Sequence, residues 1–406
     1  MRRRELYVPS ERHVAVADGM RALFIFIIGW YHIWQQSWLS PYANIGGFRI
    51  NVEPLVRTGY IWVDGMLLLS GFLSFLPYAR AMYDGAPLPG VKSFYWRRVA
   101  RILPAYFFCI FAVLCFDALP GHAYTQQKYL WLDLISHLTF TQTFFNYSYF
   151  YTHLNVVLWT LAVEVQFYLI FPLLARAFAK RPAVTWIGMV AAAWIYRGCV
   201  AAFVTENNIW INQLIAFMDI YALGFLCAWM YVSLARTLTP SAALQILSTA
   251  LCVAICFLLW QLVRRQVASV SEGYEALRAM QMRNRFALGA LLSMFLLCAT
   301  WSADALRGLL SCRPVRFLAG ISFQFYIWHQ YLAVKLRSWG VPYSEFESPN
   351  QAGDRPWQWK YTLLCFGLAL AVAIAVTYLI ERPIQRLILS RERNKESASS
   401  NPSGSK

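Results

Sequence analysis

Charge is the first thing in short supply. Asp, Glu, Lys and Arg together make up 14% of the 406 residues, against roughly 25% in an ordinary soluble domain. A soluble core of this size needs a charged coat, and this chain cannot make one. Acidic residues are scarcest, 20 against 36 Lys and Arg, which leaves a net charge of +16. Hydrophobic residues fill 59% of the chain and aromatics 17%; that excludes disorder, which needs low hydrophobicity. The nine cysteines form no CxxC pair and no cluster with histidine, and all but Cys312 lie in apolar runs. They read as small apolar filler, with neither disulfides nor a metal site indicated. No internal repeat and no soluble second domain stands out. Alternation over about 10 residues, the mark of a membrane β-barrel, is missing as well, because the apolar stretches run for about 20. What remains is an all-α, polytopic membrane helix bundle.

Ten spans can be placed, at about 17–38, 58–80, 99–118, 156–176, 184–204, 210–232, 243–263, 285–302, 315–336 and 360–380. The first follows Met1-Arg-Arg-Arg4 but carries Arg21 and His32 and has no convincing cleavage site, so it reads as retained. With both termini in the cytoplasm, 22 basic residues fall inside and 11 outside, a bias that supports this orientation. The organisation expected is a cytoplasmic segment 1–16, a membrane domain 17–386 and a disordered cytoplasmic tail 387–406. The basic balance fits anionic lipid headgroups in a multi-pass cell-membrane protein and not nucleic acid. An aromatic outer segment near 119–155, ending in Asn146-Tyr-Ser-Tyr-Phe-Tyr-Thr-His153, reads as an interfacial or re-entrant piece and a candidate lid.

Ionisable groups in hydrocarbon cost about 2.5–3.5 kcal/mol on insertion scales, so each is a functional candidate. Arg21 and His32 are eleven residues apart. That is about 20° from three full turns, which sets both on one helix face with a rise of about 16 Å between them. By the same ruler Asp64, Glu164, Arg197, Asp219 and His329 fall in one polar layer with His32. They are either charge pairs that hold helices together or the lining of a chemical or transport site. An imidazole moves protons near neutral pH, which favours His32 as the reactive group. Arg98 and Arg101 are three apart at the start of the third span and share a face. Besides serving topology, such a pair suits a phosphate.

Six segments resemble the acyltransferase 3 family of multi-spanning membrane O-acyltransferases. Asp18-Gly-Met-Arg-Ala-Leu23 with Gly29-Trp-Tyr-His32 is similar to its opening helix and Arg-x10-His motif. Val63-Asp-Gly-Met-Leu-Leu-Leu-Ser-Gly-Phe-Leu73 is similar to the second-span signature, with Met66 and Leu67 where aromatics are usual. Phe94-Tyr-Trp-Arg-Arg-Val-Ala-Arg-Ile-Leu-Pro-Ala-Tyr106 carries the RxxR pair. Leu158-Trp-Thr-Leu-Ala-Val-Glu-Val-Gln-Phe-Tyr-Leu-Ile-Phe-Pro172, Gly320-Ile-Ser-Phe-Gln-Phe-Tyr-Ile-Trp-His329 and Ile380-Glu-Arg-Pro383 follow in register, with Val165 where a second acid is common.

The resemblance implies a catalytic set of His32, Arg21 and Glu164, donor binding by Arg98 and Arg101, and a pore lined by His329 and Asp64. Arg197 and Asp219 match no motif. The implied donor is acyl-CoA, foremost acetyl-CoA, with no bound cofactor. Arg98 and Arg101 would hold its phosphates at the inner mouth while the pantetheine arm reaches the polar layer. His32 would be general base for a carbohydrate or glycolipid hydroxyl. Many relatives carry a fused extracytoplasmic domain; a chain stopping after the tenth span is expected to acylate the acceptor itself or to use a separate extracytoplasmic acyl-accepting protein. The rival reading is a secondary transporter of a charged metabolite or lipid-linked sugar. It predicts inverted repeats or paired broken helices, which the sequence does not show convincingly.

Overall fold

The computed structural model describes residues 14–46, 48–205 and 209–399. The basic residues at 2–4 and 12 and the last stretch, 400–406, lie outside them. In chain order the helices are α1 (Ala15–Ser37), α2 (Glu53–Arg57), α3 (Val63–Asp84), α4 (Val91–Val113), α5 (Gln127–Leu138), α6 (Asn146–Phe150), α7 (Trp159–Lys180) and α8 (Pro182–Phe203). There follow α9 (Met218–Thr237), α10 (Ala242–Ala268), α11 (Tyr274–Trp301), α12 (Asp304–Ser311), α13 (Arg313–Ser338), α14 (Arg355–Val376) and α15 (Arg382–Ser399). A small antiparallel pair, β1 (Tyr42–Ile45) and β2 (Phe48–Asn51), sits after α1.

Among the described residues, nine helical segments are long and apolar enough to cross a membrane. The 26-residue α13 is as long but more polar and is not among them, so nine stand where ten were expected; it packs against α1 and α14. The protein is an all-α, multi-pass membrane bundle. Local signals set several boundaries. Ser241 accepts from Leu244 N at 3.1 Å to cap α10, and Asp354 accepts from Trp357 N at 3.1 Å to cap α14. Pro314 and Pro356 stand in the first turns of α13 and α14, where no N–H is needed.

Burial divides the helices. The segments holding α3 and α9 are 78% buried, while those of α8 and α10 are 22% buried. Ile195, Phe203, Val253 and Phe257 are exposed on the latter, as a lipid-facing surface requires. The α3–α9 crossing is close because Gly71 and Gly224 meet there. A Cβ on Gly224 would stand 2.6 Å from Leu68 O, so the backbones approach only without it.

Three boundaries differ from the sequence reading. α4 begins at Val91 and α11 at Tyr274, earlier than the apolar windows, since a helix continues through polar residues once packing supports it. Arg285, the first residue of the 285–302 window, is thereby well inside its helix and 1% exposed. The expected disordered tail is helical through Ser399, continuing from a π-helical turn at Thr377–Glu381. The 119–155 segment folds into α5, α6 and short turns. α5, at 12 residues, is too short to span. Buried Asp133 ties the segment together, accepting from Tyr124 OH at 2.8 Å, Thr152 Oγ1 at 3.0 Å and His153 N at 3.1 Å.

Candidate active site

Two cavities are lined by the candidate residues. The larger, about 390 Å³, lies toward the N-terminal end of α1 and takes Arg21 from α1, Arg98 and Arg101 from α4, Glu164 from α7 and Arg382 from α15. The smaller, about 200 Å³, takes His32 from the far end of α1, Asp64 from α3, and Arg278 and Arg285 from α11. Val63 and Tyr326 line both, so their side chains form part of the partition. Arg21 and His32 do share a face of α1, but their rise of about 16 Å puts them on opposite sides of that partition.

In the first cavity the arginines are held in different ways. The Arg98 guanidinium lies 4.7 Å from the Tyr168 ring centroid and donates to Ser74 Oγ at 2.8 Å. Arg101, one turn on, has no hydrogen-bond or ion-pair partner among the described residues. Arg21 stands 3.4 Å from Asp18, one turn below it. Glu164 accepts from Ser70 Oγ at 2.6 Å and from Tyr168 OH. The motif at Ile380–Pro383, given no role by the sequence, supplies a wall. The π turn aims Glu381 at Gln324 Nε2, 2.7 Å away, and brings Arg382 to the cavity. Four guanidiniums around one opening suit a polyphosphate, because each offers charge-assisted donors in a fork.

In the second cavity His32 Nδ1 lies 2.9 Å from Gln35 Oε1, one turn on. The Gln35 amide donates in turn to Tyr31 OH at 3.1 Å. With the amide so turned, its oxygen accepts from Nδ1–H, and the Nε2 lone pair of His32 is left to accept a proton. The partition residue Tyr326 is itself fixed, its hydroxyl 2.7 Å from Thr160 Oγ1. Tyr149 of the α6 segment forms an outer wall and accepts from Asn212 Nδ2 at 2.6 Å.

The structure brings Arg21, Arg98, Arg101 and Glu164 together and separates His32 from them. His329, expected to line the pore, is fully buried and lines neither cavity. Its ring packs behind His32 with centroids 5.2 Å apart, and Nδ1 bonds to Tyr326 O at 2.7 Å. Helix α13 turns that face onto α1, while Tyr326, three residues earlier, takes the cavity position. Asp64 does reach the second cavity, though paired with Arg285 at 3.4 Å. Arg197 and Asp219 form a buried pair at 2.5 Å, and Arg197 also donates to Ala216 O at 2.8 Å. Sequence reasoning missed Arg285, Tyr326 and Gln35. Spacing of three from a motif histidine was the one available signal for the last two; Arg285 was hidden by a window that began at it.

The family model of the acyltransferase domain matches residues 14–382. The peptidoglycan O-acetyltransferase OatA of Listeria monocytogenes is 24% identical over 362 residues, covering 84% of this chain and 52% of that protein. YrhL of Bacillus subtilis, named a putative peptidoglycan O-acetyltransferase, is 22% identical over 393 residues, covering 92% of this chain and 55% of its own length. The O-acetyltransferase OatA of Staphylococcus aureus is 26% identical over 211 residues, 49% of this chain and 31% of that one. The chain thus spans about half the length of the first two relatives. No solved structure matches it. A single family model running from the first turn of α1 to the start of α15, over a bundle that assembles its motif residues around two adjoining cavities, leads to one conclusion: the chain belongs to the acyltransferase 3 family.

Proposed function

We propose that the protein is a membrane O-acetyltransferase that moves an acetyl group from cytoplasmic acetyl-CoA to a hydroxyl of a carbohydrate, with both termini in the cytoplasm. One observation carries this reading: a cavity ringed by Arg21, Arg98, Arg101 and Arg382 shares a wall with a second cavity that holds His32. The phosphates of the donor bind in the first, and the pantetheine arm passes Val63 and Tyr326 to bring the thioester toward His32. The acceptor enters the second. His32 Nε2 takes the proton from the acceptor hydroxyl. The oxygen bonds to the thioester carbonyl carbon, the C–S bond breaks, and the departing thiolate recovers the proton. Gln35 holds the imidazole in the receptive tautomer. Glu164 orients Tyr168 beneath Arg98 and so acts on donor binding. The glycan named for the relatives, peptidoglycan, is the first acceptor class to try.

The test uses the purified chain in lipid nanodiscs with radiolabelled acetyl-CoA and a panel of sugars and peptidoglycan fragments. Label should move to a sugar with wild type and not with His32→Ala. Transfer by a well-folded His32→Ala protein removes His32 from the mechanism. Absence of both transfer and coenzyme A binding in wild type returns the transporter reading to first place.

A further inference from the structure

The His32 cavity contains buried positive charge that the transfer chemistry does not use. Arg285 is 1% exposed, lines this cavity, and packs 4.0 Å over the Phe217 ring. Its Nε faces Asp64 at 3.4 Å and its Nη1 donates to Ile211 O at 2.9 Å, but Nη2 has no hydrogen-bond partner. Two turns earlier on the same helix, Arg278 lines the same cavity. Its ion-pair partners among the described residues number none; it bonds to Tyr274 OH and, at 3.4 Å, to Gln281 Oε1, while its buried Nε has no partner. Leaving one buried charged donor unmet costs more than a neutral one, and such groups are as a rule paired. Both guanidiniums line one wall of this cavity, where an acceptor oxygen can meet them.

The charge balance points the same way. Below the cavity Arg197 is satisfied by Asp219, and Asp64 offsets Arg285. Among the described residues Arg278 is then in excess, and no second carboxylate stands among the described residues lining the cavity. Tyr31, Tyr60 and Tyr149 supply the apolar faces and hydroxyls on which a sugar ring can rest.

We propose that this cavity binds a carbohydrate carrying an anionic group, a carboxylate or a phosphate ester, and that Arg278 and Arg285 hold that group. The inference rests on the reading of the His32 cavity as the acceptor side and names its chemical class. Fork-shaped donors recognise either anion, and the experiment separates the two.

Binding is measured by calorimetry on the full chain in nanodiscs with three probes of one ring type: N-acetylmuramic acid, N-acetylglucosamine 1-phosphate and N-acetylglucosamine. Coenzyme A is titrated in parallel. At least one acidic sugar should bind tenfold or more tighter than the neutral one, and the tighter of the two identifies the group. Arg278→Gln should abolish that preference without moving coenzyme A affinity, and Arg285→Lys, which keeps the charge toward Asp64, should reduce it. Equal binding of acidic and neutral sugars, no sugar binding in the millimolar range, or a preference that survives Arg278→Gln overturns the inference. If the acidic preference stands while coenzyme A does not bind, the acid site is upheld and the acetyl-CoA reading is the one that fails.

Discussion

Arg197 and Arg101 sit in the same bundle and differ in how their hydrogen bonds are spent. Arg197 gives two bonds to Asp219, at 2.9 and 2.5 Å, and a third to Ala216 O. Arg101 gives none to a described residue and faces a cavity. A buried guanidinium that is fully paired inside the protein has no capacity left for a ligand, and its removal strands a charge. One held toward an opening with its donors unspent is positioned for something else. Sorting the intramembrane charges by this criterion separates the α8–α9 pair, which holds helices, from the arginines of the first cavity. Arg285 lies between the two kinds, half paired and half open.

The comparison can be broken most severely at His32, which belongs to neither group. His32→Ala should lower acetyl transfer by about 10²- to 10⁴-fold, the usual contribution of a general base. Binding of coenzyme A, measured on the same preparation, should be unchanged because His32 lies across the partition. Loss of donor binding together with activity would instead mark His32 as part of one continuous site.

Arg197→Ala should cost about 3–5 kcal/mol of stability, since Asp219 is then buried alone. Thermal unfolding in detergent reads it, and a melting temperature equal to wild type would remove the structural assignment. Replacing both Arg197 and Asp219 with apolar residues of similar volume should recover much of the loss.

Arg98→Gln with Arg101→Gln should weaken coenzyme A binding by about one to two powers of ten, from the loss of charge-assisted contacts of about 1.5–3 kcal/mol. Lysine at both positions should restore only part, because the charge returns without the fork. Full rescue by lysine, or a double Gln protein that fails to insert while binding is untouched, would assign the pair to topology.

The smallest effect is expected at Gln35. Gln35→Leu removes one side-chain bond worth about 0.5–1.5 kcal/mol, so turnover should fall about three- to tenfold. KM for acetyl-CoA should stay put, because Gln35 reaches the donor only through His32. A change in KM with turnover intact would place Gln35 against substrate and not behind the imidazole.

Four polar residues that line the first cavity together were candidates before any tertiary structure. Arg98 and Arg101 stood out as a basic pair on one face at the start of a span, and Arg21 and Glu164 because a charge in an apolar window is expensive wherever the helix ends up. The same logic found Asp64, Arg197 and Asp219 without telling which were mutually satisfied. It misplaced Arg285, because a hydropathy window begins where polarity stops, whereas α11, packed against α10, begins eleven residues earlier at Tyr274. His329 shows the opposite failure: its spacing within a motif drew it to the cavity, and the packing of α13 on α1 turned its ring to the back of His32.

What the sequence by itself determined was the class of solvent the chain folds in, its all-helical, multi-pass character, and the common face of Arg21 and His32. All three follow from composition and from the 3.6-residue period, which are local to one helix. Only the tertiary structure decided that this common face serves two cavities, with Tyr326 of α13 and Val63 of α3 between them. Helical period fixes the direction of a side chain about its own axis. It says nothing of which neighbouring helix closes the space in front of it, and that closure is what divides the two cavities.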